Sequence, residues 1–413
     1  MKFTLKRIFM GVGLCALVYI ALIAHFYWKW LQPDTPLPTG YESVGESKLY
    51  NENYLELSQN ISQLISKRAK QWSAPSLSVA VAINNELVWA GAKGYADVDK
   101  EVPAKISSLY RAGSVSKSLT ALSLGRLMDA GKIDIDESIH HYLPDFPKFE
   151  ADITSRMLGN HTAGFRHYGI DVTRWPAHEF FIDTPYASVS DSLSIFSDDE
   201  LEFIPDQGFG YSSYGYNLLS AVMESAANKD FLTLMQGQVF TPLNMKHTLA
   251  IPDEPSLAQV VQFYTSGAGQ YGNAYPVDLS HKWAGGGFMS TPSDLVKAGI
   301  ALFEPSFLSQ STRETLLKPV EKKTKGQDPR GYALGWENTF NHELLASGEK
   351  IQTIFHSGGS VGGSAYLLII PEYNVVVAAL TNTSGDGEGP FVDELSEEIA
   401  AMILNSGKYN THG

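Results

Sequence analysis

Cysteine is almost absent from this 413-residue chain: the only one is Cys15, near the N-terminus. A lone cysteine excludes an internal disulfide framework and any cysteine-built metal site. Positive charge is scarce as well. The 31 Lys and Arg are outnumbered by 45 Asp and Glu, and the resulting net charge of −14 argues against a nucleic-acid partner. The 11 histidines form no His-Glu-x-x-His and no comparable dense cluster, so neither a metal nor a cofactor is expected. No internal repeat is present. What remains is ordinary globular material, 44% apolar and 18% charged, long enough for one large domain or two ordinary ones.

One apolar run is long. Ile8 to Trp28 contains no Asp, Glu, Lys or Arg, with His25 inside it, and is long enough to span a bilayer as a helix. Lys2, Lys6 and Arg7 precede it, which predicts a cytoplasmic N-terminus, and Tyr27, Trp28 and Trp30 suit an aromatic belt at the far interface. No small-x-small cleavage site follows, and Leu14 before Cys15 does not suit a lipoprotein signal. The expected organisation is therefore a cytoplasmic tip and signal anchor at 1–30, a stiff tether at 31–46 with Pro33, Pro36 and Pro38, a main domain at 47–405, and a polar tail at 406–413. Such a chain is a single-pass membrane protein, its main domain periplasmic if the source is Gram-negative.

Within the main domain, Leu57, Ile61, Leu64 and Ile65 mark an amphipathic helix ending near Trp72. Leu77 to Ile83 and Leu87 to Ala90 read as strands around an Asn84-Asn85 turn. Val115, Leu119 and Leu122 share a helical face, and Gly131 is the expected stop. Residues from about 150 to 270 read as a helical and irregular lobe. Ser293 to Leu302 reads as a helix capped by Ser290 or Thr291, Ala365 to Ile370 and Val375 to Leu380 as a hairpin, and Phe391 to Leu404 as a closing helix. The fold class is α+β: an antiparallel sheet flanked by helices, with the terminal helices sharing one face and a mostly helical lobe inserted.

The chemistry centres on Tyr110-Arg-Ala-Gly-Ser114-Val-Ser-Lys117. Residues at i and i+3 share a helix face, so the Ser114 hydroxyl and the Lys117 ammonium point into one space. Serine needs a neighbouring base to become a nucleophile, and lysine can be that base only when burial or another cation lowers its pKa. The same spacing at Ser347-Gly-Glu-Lys350 lacks an apolar helix and is a decoy. Tyr211-Ser-Ser213 opens a second apolar helical pattern, where a tyrosine can act as base or proton relay if its phenol meets positive charge. Tyr271-Gly-Asn273 spells a similar tripeptide but lies in a Gly-rich loop. His356-Ser357-Gly358-Gly359 precedes the Ala365 strand and offers a basic group, a hydroxyl and backbone N–H groups. Gly358-Gly-Ser360-Val-Gly362 spells a nucleophile elbow, but only His412 follows it, so an α/β-hydrolase triad is excluded.

Serine, then tyrosine, then a basic-x-Gly on late strands resembles the serine β-lactamase and penicillin-binding-protein family, on its class C and esterase-like branch. The likeness extends through Pro75-Ser-Leu-Ser-Val-Ala-Val81, Gly94-Tyr-Ala-Asp97, Asn160-His-Thr-Ala-Gly164, Lys282-Trp-Ala-Gly-Gly-Gly-Phe288 and Gly331-Tyr-Ala-Leu-Gly-Trp336. Gly164-Phe-Arg-His-Tyr168 and Lys282-Trp283 are especially similar to the family's mitochondrial branch. The resemblance covers about residues 50 to 405. It implies a Ser114 acyl-enzyme, Lys117 as base and Tyr211 as proton relay, with Ser213, His356, Ser357, Gly358 and Gly359 binding substrate, and an oxyanion hole made by the amides of Ser114 and Gly359. His161 and the Gly285 run match family segments and read as structural. Ser213 stands where the family has Asn, and His356-Ser357 where it has Lys-Thr. Both changes weaken the expected grip on a β-lactam carboxylate, so the expected substrate is a peptide, amide or ester, with activity following the charge of His356 between about pH 5 and 8. The alternatives are a β-lactamase or D,D-peptidase, or a weakly catalytic membrane-tethered binding or filament-forming module. Oligomers are compatible with either.

Overall fold

The computed structural model describes residues 2–31, 33–149, 151–171, 173, 175–250, 254–321, 328–385 and 391–406. The polar tail expected at 406–413 lies outside them beyond Ser406.

The first helix, α1 (Lys2–Leu31), covers the apolar N-terminal run. No helix among the described residues is long and apolar enough to cross a membrane, and the expected single-pass anchor is not supported. Part of this helix packs on the domain. Phe26 is buried, with its ring 5.7 Å from Trp175, 5.4 Å from Phe181 and 5.0 Å from Tyr275 between centroids. Of the expected aromatic belt, Trp28 is exposed, Trp30 meets Tyr275 edge-on, and the Tyr27 side chain lies outside the described residues. The tether expectation also changes. Thr35–Pro36 pairs with Gln270 and Tyr271, Tyr41 is buried and its hydroxyl donates to the Ala69 carbonyl at 2.7 Å, and Gly45–Leu49 is a strand. Residues 33–46 run along the domain, held at Asp34 to Leu37, at Tyr41 and from Gly45 onward.

The main sheet comprises β1 (Gly45–Leu49), β2 (Ser76–Ile83), β3 (Glu86–Asp97), β4 (Glu337–Asn341), β5 (Ile351–Ser360), β6 (Gly363–Ile370) and β7 (Val375–Thr381). Its order is β4-β5-β6-β7-β2-β3-β1, antiparallel throughout. The β2–β3 turn uses Asn84 and Asn85 at φ of 53° and 63°, the left-handed conformation a tight hairpin requires. The β7–β2 pairing sets Val375 opposite Ile83 and Thr381 opposite Leu77, sealing the two halves of the chain together. Every residue of both strands is buried, so neither leaves a face to solvent even though Leu77 to Ile83 alternates in the sequence.

Helices α2 (Leu55–Gln71), α3 (Val115–Asp129), α4 (Ser213–Ala227), α5 (Pro292–Ala301) and α6 (Val392–Leu404) complete the core. Ile61 and Ile65 of α2 and Leu395, Ile399 and Ile403 of α6 bury against Val79, Val81, Val377 and Ala379, so the terminal helices do share one face of the sheet. Arg68 of α2 pairs with Glu398 of α6 at 2.6 Å. The other face packs on α3, α4 and α5 through Leu119, Leu122, Leu218, Leu295 and Leu367. The lobe of short helices between 150 and 270 ends in a hairpin, Tyr264–Gly267 with Gln270–Asn273. Tyr271-Gly-Asn273 is therefore strand, not Gly-rich loop.

Candidate active site

Ser114 is set by its upstream neighbours. Tyr110–Arg111 pairs with Met289–Ser290, the Arg111 guanidinium lies 3.9 Å from the centroid of the Phe263 ring and donates to the Val361 carbonyl, and the Ala112 amide donates to Phe288 at 2.9 Å. Gly113 turns at φ 51°. Ser114 then occupies the cap position of α3 without using its hydroxyl as a cap, which leaves Oγ for chemistry. The amides of Val115, Ser116 and Lys117 close the first turn on the carbonyls of Ala112, Gly113 and Ser114.

Lys117 is completely buried, with Nζ 3.2 Å from Ser114 Oγ, 2.9 Å from Ser213 Oγ and 2.5 Å from the Gly285 carbonyl. No carboxylate is among these partners. Burial, reinforced by Lys282, holds its pKa well below the ordinary lysine value. The Tyr211 phenol bonds Ser114, and Lys117 Nζ stands 4.8 Å from the Tyr211 ring centroid. Burial pushes the Tyr211 phenol up, so it is a neutral donor rather than a phenolate base. His161 supports Tyr211 from behind: their rings are 4.4 Å apart, and His161 Nδ1 accepts from the Ser212 amide at 3.2 Å. It therefore packs at the Tyr211 segment rather than in the distant core.

His356 departs from expectation. It is 2% exposed, its Nε2 lies 3.0 Å from the Tyr332 hydroxyl and its Nδ1 2.6 Å from the Ser357 carbonyl. A carbonyl can only accept, so Nδ1 carries the proton and Nε2 accepts from Tyr332. Burial and then Lys117 push its pKa down to about 3. His356 is thus neutral throughout the pH 5–8 window and cannot drive the pH dependence expected of it. Ser213 is also engaged within the protein. It is 1% exposed, its amide donates to His167 Nδ1 at 3.2 Å, and its hydroxyl joins Lys117 and Tyr168. Ser357 is exposed but does not line the cavity beside Ser114.

That cavity holds about 220 Å³ and is lined by Ser114, His167, Tyr168, Phe180, Lys282, Gly286 and Gly359. A wider, open hollow of about 890 Å³ between residues 142–147 and 188–197 contains neither Ser114 nor Lys117, so shape alone does not locate the chemistry. Of the expected binding residues, Gly359 alone faces the cavity. Gly358 makes its approach possible, because a Cβ there would fall 2.1 Å from the Ala112 carbonyl oxygen and 3.1 Å from the Ser114 nitrogen. Strand β4 pairs only with residues 351–355, which leaves the outer edge of β5 from Ser357 to Ser360 turned to the start of α3.

His167, Tyr168, Phe180 and Lys282 were not expected as site residues. His167-Tyr168 and Lys282 lay in stretches that matched family segments, which was the available signal; Phe180 had none. The loop carrying the first two is fixed by Arg166, which bonds both Glu179 oxygens at 2.6 and 3.0 Å and Asp199 at 2.6 Å, while Glu179 also accepts from the Gly169 amide and Tyr214. The Gly285 run does more than pack closely, since Gly285 receives Lys117 and Gly286 lines the cavity. Among the described residues no group of three or more His, Cys, Asp or Glu is placed to hold a metal.

Comparison with known proteins gives the family. A family model described as Beta-lactamase matches residues 61–401. The mitochondrial serine beta-lactamase-like protein LACTB of Homo sapiens is 30% identical over 379 residues, 72% of this chain and 69% of that protein. Penicillin-binding protein 4* of Bacillus subtilis is 26% identical over 332 residues, 75% of this chain and 69% of that one. The D-amino acid amidase of Ochrobactrum anthropi superimposes with a TM-score of 0.72 at 22% identity, covering 86% of this chain and 100% of the amidase. The octameric penicillin-binding protein homologue of Pyrococcus abyssi gives 0.70 at 21% identity, covering 84% and 77%. The chain belongs to the β-lactamase family and is a serine hydrolase of that α+β fold.

Proposed function

We propose that Ser114 is the acylated nucleophile of a peptidase, amidase or esterase, with Lys117 as its base. The observation that carries this reading is the buried Lys117 amine, without a carboxylate partner and 3.2 Å from Ser114 Oγ. As a neutral amine it removes the Ser114 proton while Oγ attacks the substrate carbonyl. The amides of Ser114 and Gly359 receive the developing oxyanion. The proton passes from Lys117 through the neutral Tyr211 phenol to the leaving group, which departs as amine or alcohol. Water then enters, loses a proton to Lys117 as it attacks the acyl carbon, and Lys117 returns that proton to Ser114 Oγ as the acid leaves.

Two positions expected to grip a lactam carboxylate, Ser213 and His356, do not face this cavity. Ser213 is engaged by Lys117 and Tyr168, and His356 by Tyr332. An acyclic peptide, amide or ester therefore fits better than a β-lactam. Incubation with a library of D- and L-peptides, amides and esters, followed by mass spectrometry of the digested protein, should find an acyl adduct on the Ser114 peptide. Turnover of a cephalosporin at ordinary β-lactamase rates would overturn the substrate assignment.

A further inference from the structure

The cavity wall carries one cation that acyl transfer at Ser114 leaves unexplained. Lys282 ends a short turn (Ser280–Lys282), is 3% exposed, and lines the same cavity as Ser114 and Gly359. Its Nζ lies 5.0 Å from the Tyr168 ring centroid and 4.9 Å from that of Phe180. Buried lysines ordinarily have a partner, yet no carboxylate is paired with this one among the described residues. The nearby Glu179 is fully occupied by Arg166, the Gly169 amide and Tyr214. The charged and titratable groups around it add no anion: Arg111 and Lys117 are basic, His167 is held neutral with a pKa near 3, and burial keeps the Tyr168 phenol protonated. Two aromatic rings shield the ammonium but do not neutralise it.

An anion inside the cavity would supply what the protein withholds. We propose that Lys282 is a specificity-determining residue that selects substrates bearing a carboxylate close to the carbonyl attacked by Ser114. This rests on the serine hydrolase reading above. Burial, then Arg111, draws the Lys282 pKa down to about 7 in the empty site, so carboxylate binding also draws a proton onto it. The lactam-binding positions on β5 and at Ser213 play no part; the charge sits on the segment that leads into Gly285.

Matched boronic acids test this without knowledge of the natural substrate, because boron bonds the nucleophilic serine reversibly. Inhibition constants of 3- and 4-carboxyphenylboronic acid and their carboxamide counterparts are read by competition against fluorophosphonate labelling of Ser114. In the unmodified protein at pH 6, at least one carboxylate should bind about 10- to 100-fold tighter than its carboxamide, the worth of a hydrogen bond to a charged group. That preference should vanish in Lys282→Met, whose labelling rate reports whether the site is intact, while carboxamide binding changes little. A merely electrostatic influence of Lys282 on Lys117 would shift both members of a pair alike. Should Lys282→Met not fold, the preference in the unmodified protein should itself shrink between pH 6 and pH 8.5 as Lys282 loses its proton. Normal Ser114 labelling with no carboxylate preference, or a preference that survives Lys282→Met, overturns the inference alone. No labelling at all overturns the hydrolase reading and this one with it.

Discussion

An amine buried without a counter-ion gives up its proton more readily than one in water, and Lys117 occupies such a position 3.2 Å from Ser114 Oγ. Lys117→Met should lower kcat/KM for an activated aryl ester by about 10²- to 10⁴-fold, the usual contribution of a positioned general base. Lys117→Arg should not rescue it, because a guanidinium stays charged. A variant retaining most of its activity would remove Lys117 from the mechanism. The pH profile separates the other bases. His356 is already neutral above its depressed pKa of about 3, so His356→Gln should leave the shape of the profile between pH 5 and 8 unaltered. Lys282, with a pKa near 7, loses its charge as pH rises through neutrality, so kcat/KM for a carboxylate substrate should fall there and the inflection should disappear in Lys282→Met. An inflection that follows His356 instead would contradict this assignment.

At the scale of elements, the site is the meeting of the start of α3, the free edge of β5 and two loops. Two close approaches hold the first pair together: a Cβ on Gly358 would meet the Ala112 carbonyl at 2.1 Å, and one on Gly113 would meet the Gly359 carbonyl oxygen at 2.7 Å. Gly358→Ala should therefore displace the Gly359 amide from the oxyanion position and cost about 1–3 kcal/mol of stability through overpacking. Steady-state kinetics should show a larger loss in kcat than in KM, and urea unfolding should show the destabilisation; unchanged values in both would mean the strand edge has slack. The elements themselves were legible beforehand. Ser114 before Val115, Leu119 and Leu122, the paired asparagines at 84 and 85, and Thr291 ahead of Pro292 each carry local signals that packing reinforces. The cavity wall was not. His167, Phe180 and Lys282 come from three irregular stretches whose convergence is set by the Arg166–Glu179 bracket and the glycine run, long-range contacts that leave no periodicity. The partners of Ser213 and His356 were not legible for a related reason, since residue type indicates what a side chain can bind but not which neighbour reaches it first.

Across the whole molecule, stability rests on a sheet buried on both faces, closed by the β7–β2 pairing and covered on one side by helices from opposite ends of the chain. Ile399→Ala, in the middle of that face and fully buried, should cost about 2–5 kcal/mol in urea unfolding and leave kcat/KM of the folded fraction nearly unchanged, because α6 lies across the sheet from the face that packs on α3. A loss of activity without a loss of stability would break the separation between scaffold and site. The apolar N-terminal run is not accounted for by packing alone at this scale: Phe26 is buried against Trp175, Phe181 and Tyr275, whereas Leu14, Leu17, Val18, Ile20 and Leu22 of the same helix are exposed. The account as a whole depends on one bond. Intact-protein mass spectrometry after exposure to a fluorophosphonate probe should show a single adduct that maps to Ser114, disappears in Ser114→Ala and forms at least about 100-fold more slowly in Lys117→Met. An adduct that persists in Ser114→Ala, or its absence from the unmodified protein, would contradict it.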